Sequence, residues 1–313
     1  MPSFLLKRVM ALVPVMLIVG LVVFVVMHVA PGDPAAAILG QEATQEAIDR
    51  LREEMGLNKP LAQQMVEWFA RILRGDMGES IFLNRSVNRA IYEHLQATLL
   101  LTGLSLLLSV TIGIVAGVIA AVRHNKFLDQ LVMFLTSLGV AVPNFWLGLM
   151  FILVFALTLG WLPVAGYAPL SKGVPLTLRY LALPALALAL GQASVIARMT
   201  RANMLEVLQN DYIRTARAKG LVERIVIFKH ALKNALIPTI TVIGLTFANL
   251  MGGAVVTEQI FNIPGIGRLL ITSVAGRDYP VIEGIVLYIA AAYVLINLIV
   301  DIVYMYVDPR IKI

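Results

Sequence analysis

Side chains that do chemistry are scarce in this 313-residue sequence: 14% are Asp, Glu, Lys or Arg, four are His, and none is Cys. The lack of Cys removes thiolate metal sites, thiol nucleophiles and disulfides. There is no H-E-x-x-H pair to set two imidazoles on one helix face, and no G-x-S-x-G elbow to expose a serine. A G-x-x-x-x-G-K-[ST] phosphate loop is missing, and the dipeptide Gly-Lys does not occur at all. Energy from ATP would therefore have to come from another polypeptide. The densest collection of charges is the 36-residue segment 198–233, which holds eight of the 25 basic residues. Within it Asp211, Tyr212, Arg214, Thr215, Ala216, Arg217, Ala218, Lys219, Gly220 and Leu221 follow an apolar series of Met204, Leu205, Val207, Leu208 and Ile213. Cations at a helix C-terminus, small side chains and a glycine stop suit contact with a surface. That surface is either a partner protein or the lipid headgroups on which a basic amphipathic segment lies.

The elements that carry this segment follow from the composition. Hydrophobic residues make up 59% of the chain, against about 45–50% for a soluble protein. Mean hydropathy is +0.85. Six stretches free of Asp, Glu, Lys and Arg are long enough to hold a membrane helix: Val9–Pro31, Leu95–Val122, Gln130–Ser171, Tyr180–Ala197, Asn234–Thr257 and Gly284–Val300. The third predicts one helix over about Gln130–Gly160, then an apolar turn through Trp161, Pro163, Gly166 and Pro169. The first is too long for a signal-peptide core and has no A-x-A site after it, so it reads as a retained helix. With the N-terminus inside, the inner loops and termini hold 14 basic residues in 59 positions, against 4 in 47 for the short outer loops. Both termini are thus expected in the cytoplasm. The net charge of +6 reflects those inner loops and gives no reason to invoke nucleic acid.

The long outer segment 32–94 reads as helical. Pro31-Gly32-Asp33-Pro34 stops the first span, and Thr44 is a candidate N-cap for a helix carrying Ala47, Ile48, Leu51 and Met55, stopped at Gly56. A second helix is predicted over Leu61–Leu73, with Met65, Phe69 and Leu73 on one side and a break at Gly75-Asp76-Met77-Gly78-Glu79-Ser80. A third amphipathic piece spans Val87–His94. A segment this short buries only a small core, so it reads as a cap over the outer mouth or a docking surface for a soluble delivery protein.

Residues 214–220, Arg-Thr-Ala-Arg-Ala-Lys-Gly, followed by Ile237-Pro238, resemble the "EAA" loop of bacterial ABC importer permeases of the type I fold. That loop reads roughly E-A-A-x-x-x-G before a downstream Leu/Ile-Pro. Arg214 stands in the Glu place and Thr215 in the first Ala place. The wording Asp211-Tyr212-Ile213-Arg214-Thr215-Ala216-Arg217-Ala218-Lys219-Gly220-Leu221 is closer to the dipeptide/oligopeptide/nickel subgroup. So are Lys7-Arg8, Gln96-Ala97-Thr98-Leu99, Gly160-Trp161-Leu162-Pro163, Leu183-Pro184-Ala185, Phe261-Asn262-Ile263-Pro264-Gly265-Ile266-Gly267 and Arg277-Asp278-Tyr279-Pro280, in matching order along the whole chain.

The resemblance implies an all-α integral membrane protein of six transmembrane helices: an N-terminal helix (1–31), an extracytoplasmic helical loop (32–94), a five-helix transmembrane domain (95–307) containing the coupling loop 198–233, and a cytoplasmic tail (308–313). It implies a permease subunit in the bacterial cytoplasmic membrane, forming half of a pathway for di- or oligopeptides, glutathione or chelated nickel. Its implied partners are a paralogous permease, two ABC ATPases and an extracytoplasmic substrate-binding protein, besides the bilayer. The chain would bind no cofactor, ATP and Mg being used by the ATPases. Asp211–Leu221 would be the coupling helix.

Polar residues inside the apolar stretches are the remaining candidates. Gln192 and Ser194, Asn249, and the outer-loop residues Phe261 and Pro264 are candidates for the pathway or its gate. Hydrogen bonds between helices are the other use of such groups. His28 and Asp301 lie near span ends, where each can reach an interface. Gly244, Gly252 and Gly253 suit close helix packing, and Pro143, Pro184 and Pro238 suit bends, with Pro238 expected in the first turns of span five. An autonomous secondary transporter or channel is the competing function. It is disfavoured by the lack of a visible inverted repeat and by few intramembrane charges.

Overall fold

The computed structural model describes residues 2–29, 34–39, 43–54, 56–80 and 82–307. The Pro31–Asp33 stop, Met55 and the 308–313 tail lie outside them. In chain order the elements are α1 (Pro2–Val29), α2 (Pro34–Leu39), α3 (Gln45–Glu54), α4 (Leu61–Leu73), β1 (Glu79–Ser80), β2 (Arg85–Ser86), α5 (Val87–Val122), α6 (Phe127–Ala141), α7 (Asn144–Thr158), α8 (Val174–Leu208), α9 (Asp211–Ala218), α10 (Glu223–Ile260), α11 (Ile266–Gly276) and α12 (Tyr279–Val307). Among the described residues α5, α8, α10 and α12 are each long and apolar enough to cross a membrane, and α6 with α7 forms a fifth, bent candidate. Val13–Val29 within α1 is a shorter apolar stretch. This set is compatible with six passes.

Three details differ from expectation. Gln130–Gly160 is two helices meeting at 103°. Pro143 has no N–H and drives the residue before it out of the helical region, and Val142 is accordingly extended, φ −86° and ψ 124°. Residues 198–208 belong to no loop; they continue α8. Pro238 lies well inside a helix that already starts at Glu223, three residues of α-helix and a π-helical turn (Val226–Ala231) preceding Leu232.

The chain divides into two compact units. One comprises residues 2–96 and 265–295. Its core joins Val87, Ala90 and Ile91 to Ile266, Leu269, Val281 and Ile285, and a second cluster seats Phe24 and Trp68 on Leu287. The Leu61–Leu73 helix has the predicted bounds, and Thr44 caps its neighbour by accepting from the Ala47 N–H at 3.4 Å. The two-residue strands β1 and β2 pair antiparallel, and the buried Ser80 hydroxyl donates to the Asp278 carboxylate while accepting from the Leu83 N–H at 3.0 Å.

The other unit comprises residues 97–264 and 296–307. α8 is its centre, with Leu181, Leu183, Leu188, Ile196 and Met204 all nearly inaccessible. α5 approaches α8 so closely at Gly117 that a Cβ there would stand 2.6 Å from the Ala197 carbonyl oxygen. Small residues at such crossings let backbones touch, the usual way to pack helices in lipid. Gly244 and Gly253 also face close neighbours, Val300 and Leu188, whereas Gly252 faces none.

Candidate functional site

α9 presents one face of charges and small residues on an apolar mount. Ile213 and Ala216, three apart on the helix, are buried among Val118, Met204, Val226, Ile227 and Ala235. Fixing that side turns Asp211, Arg214, Thr215, Arg217 and Ala218 outward, followed by exposed Lys219, Gly220 and Leu221. Tyr212 is partly exposed, and its hydroxyl accepts from Asn234 Nδ2 at 2.9 Å, tying α9 to α10.

The helix ends as the sequence predicts. Gly220 has φ +76°, its N–H reaches the Arg217 carbonyl at 2.9 Å, and the Leu221 N–H reaches Ala216 at 3.4 Å. Across this turn Arg217 makes a two-pronged contact with Glu223, Nε to Oε2 at 3.1 Å and Nη2 to Oε1 at 2.7 Å. The carboxylate raises the Arg217 pKa above its ordinary value by accepting those hydrogen bonds. Arg217 therefore serves partly as an internal strap. The Arg214–Asp211 contact, 3.3 Å between well-exposed groups, contributes little.

Of the expected site residues, Asp211, Tyr212, Arg214, Thr215 and Arg217–Leu221 are exposed along one stretch, whereas Ala216, expected at the contact surface, is buried because it shares the inward side of the helix with Ile213. The pathway candidates are dispersed. Ser194 is buried and donates to the Leu190 carbonyl of its own helix at 2.9 Å, and Phe261 is buried among the apolar core side chains. Gln192 is half-buried, and Asn249 and Pro264 are exposed.

Two acids that sequence reasoning passed over are central. Asp129, 3% exposed, binds Arg201 through both oxygens (2.6 and 2.8 Å) and accepts from the Asn125 N–H at 2.9 Å. This contact clamps the 123–126 turn to the end of α8 that leads into α9. The only hint in the sequence is an acid at the edge of an apolar run. Its partner is 72 residues away. Glu258, expected in an outer loop, is fully buried at the end of α10, and the Thr98 hydroxyl donates to it at 2.6 Å.

Two family profiles match the chain: "Binding-protein-dependent transport system inner membrane component" over residues 113–313, and the N-terminal counterpart of that component over residues 1–101. A probable peptide ABC transporter permease of Sinorhizobium fredii is 44% identical over the whole of both chains. A dipeptide transport system permease of Alkalihalophilus pseudofirmus is 42% identical, also over the whole of both. A glutathione transport system permease of Salmonella typhimurium is 42% identical over all of this chain and 99% of its own. Among solved structures, a chain of the MetNI methionine ABC transporter in an inward-facing form aligns with a TM-score of 0.59 at 20% identity, covering 70% of this chain and 96% of its own, a likeness of fold.

Proposed function

The chain belongs to the inner membrane components of binding-protein-dependent ABC importers, and from this premise we propose that it forms half of the membrane pathway of a peptide importer. It is a non-catalytic, multi-pass permease subunit of the type I fold, and ATP hydrolysis is the work of its ATPase partners. The peptide reading rests on full-length relatives named for peptide and dipeptide transport. Glutathione is the alternative substrate, since a relative of nearly equal identity is named for it.

The coupling role of Asp211–Leu221 rests chiefly on one observation: α9 holds Ile213 and Ala216 in the core and turns its whole remaining face outward, ending at a glycine in a left-handed conformation. We assign that face to a groove of a cytoplasmic ATPase, and the other half of the pathway to a paralogous permease over a pair of ATPases. A soluble binding protein delivers substrate to the extracytoplasmic side, to which the 32–94 segment is assigned. Both termini are cytoplasmic and the membrane is the bacterial inner membrane, as the distribution of Lys and Arg supports. Gln192, Asn249 and Pro264, the pathway candidates not committed to the packed interior, are assigned to the pathway wall.

The test is co-purification with the ATPase subunits. Ala218 is exposed, so Ala218→Trp fits the fold and obstructs the groove. The variant is expected to reach the membrane normally and lose the ATPases. Unchanged association, or peptide uptake by this chain alone without ATP, overturns the reading.

A further inference from the structure

A cleft in the first unit is lined by both acidic and basic side chains. Its volume is about 1000 Å³, at the upper end of small-ligand sites. It lies between the ends of α1, α4 and α12, with Phe24 and Trp68 in its wall.

Arg71 on α4 and Arg74, the residue that caps its C-terminus, both line the cleft and are exposed. Neither has an ion-pair partner among the described residues. The neighbouring cation Lys59 does, since its Nζ meets both Glu67 oxygens at 2.8 and 3.0 Å. The Arg71 guanidinium lies beside Gly78, which lines the same cleft. Two guanidiniums lining one cleft suit a carboxylate, which takes parallel N–H donors.

Glu283, 8% exposed, also lines the cleft. Arg71 is near enough to act on it electrostatically. Phe24 and Trp68, ring centroids 5.7 Å apart, line the same cleft, and aromatic rings also favour a cation. A polyanion would meet Glu283 and Glu79, and a simple cation would meet the two arginines. A molecule carrying both an ammonium and a carboxylate satisfies both kinds of group.

We propose that this cleft binds short peptides by their free termini, carboxylate on Arg71 and Arg74 and ammonium toward Glu283, as a relay site on the delivery side of the permease. The inference rests on the peptide reading above and adds to it a recognition site on the permease itself.

Because the termini are the groups recognised, tri-alanine, tri-alanine amide and N-acetyl-tri-alanine are sufficient probes. Full-length chain in lipid nanodiscs, with Trp146→Phe and Trp161→Phe so that Trp68 alone reports, is titrated by fluorescence. Tri-alanine is expected to give a saturable change, with each blocked peptide about tenfold weaker, the worth of one lost charge-assisted contact. Arg71→Gln with Arg74→Gln is expected to abolish the preference over the amide only, and Glu283→Gln the preference over the acetylated peptide only. The arginine pair is exposed, so its variant keeps the test sound should Glu283→Gln fail to fold. No saturable change with tri-alanine, equal binding of the three peptides, or an arginine variant indistinguishable from the parent overturns the cleft. ATP-driven uptake of tri-alanine by the reconstituted complex is measured in parallel. Uptake without cleft binding refutes the cleft alone, and cleft binding without ATP-driven uptake refutes the transport reading alone.

Discussion

Asp129 and Arg201 illustrate what a single residue does in this chain. Asp129 is an acid taken out of water at the head of an apolar helix, and it is tolerable there because Arg201 and the Asn125 N–H occupy its oxygens. Removing one partner leaves the other charge buried and unpaired, a loss of about 3 kcal/mol. Asp129→Leu is expected to lower the thermal midpoint of the purified protein clearly, and Asp129→Leu with Arg201→Leu to lower it less than the two single effects added. Strict additivity in melting experiments would show that the pair is not coupled. Gly220 is the second case. Its φ of +76° costs other residues about 1–2 kcal/mol, and proline cannot adopt it at all. Gly220→Pro is expected to insert normally and hydrolyse ATP through its partners while uptake is lost. Normal uptake by this variant in proteoliposomes would remove the coupling role of the turn.

Among the elements, α9 is one whose position depends on few contacts. Eight residues cannot hold a helix by propensity alone. It is fixed by Ile213 and Ala216 in the core, by the Tyr212–Asn234 hydrogen bond, and by the Arg217–Glu223 strap over the turn. Ile213→Ala, which empties a fully buried site at a cost of roughly 2 kcal/mol or more, is expected to raise amide hydrogen exchange across 211–220 while the centre of α10 stays protected. Unchanged exchange would mean that the charged contacts alone hold α9. The break between α6 and α7 shows the opposite case, in which one proline and the residue before it redirect a whole apolar run by 103°.

For the molecule as a whole, the absence of cysteine turns topology into a direct measurement. Single cysteines at Asn58 and Ala218, both exposed, are expected to react with an impermeant maleimide from opposite sides of the membrane, Asn58→Cys from outside and Ala218→Cys only after the cytoplasmic face is opened. Labelling of both from one side would reverse or discard the orientation. A good part of this architecture was legible in the residues. Long uncharged runs mark spans because backbone groups in lipid must bond within a helix. Gly220 marks the end of α9 because few other residues take its conformation. Each of these is a local property, set by a residue and its near neighbours in sequence. Tertiary structure decided the rest: Arg201 on Asp129 across 72 residues, Thr98 on Glu258 across 160, Ser194 and Phe261 turned into the interior, and an arginine pair brought over the same cleft as Glu283. Those depend on which helix faces meet. A run that is apolar all round carries no period to say which face that is.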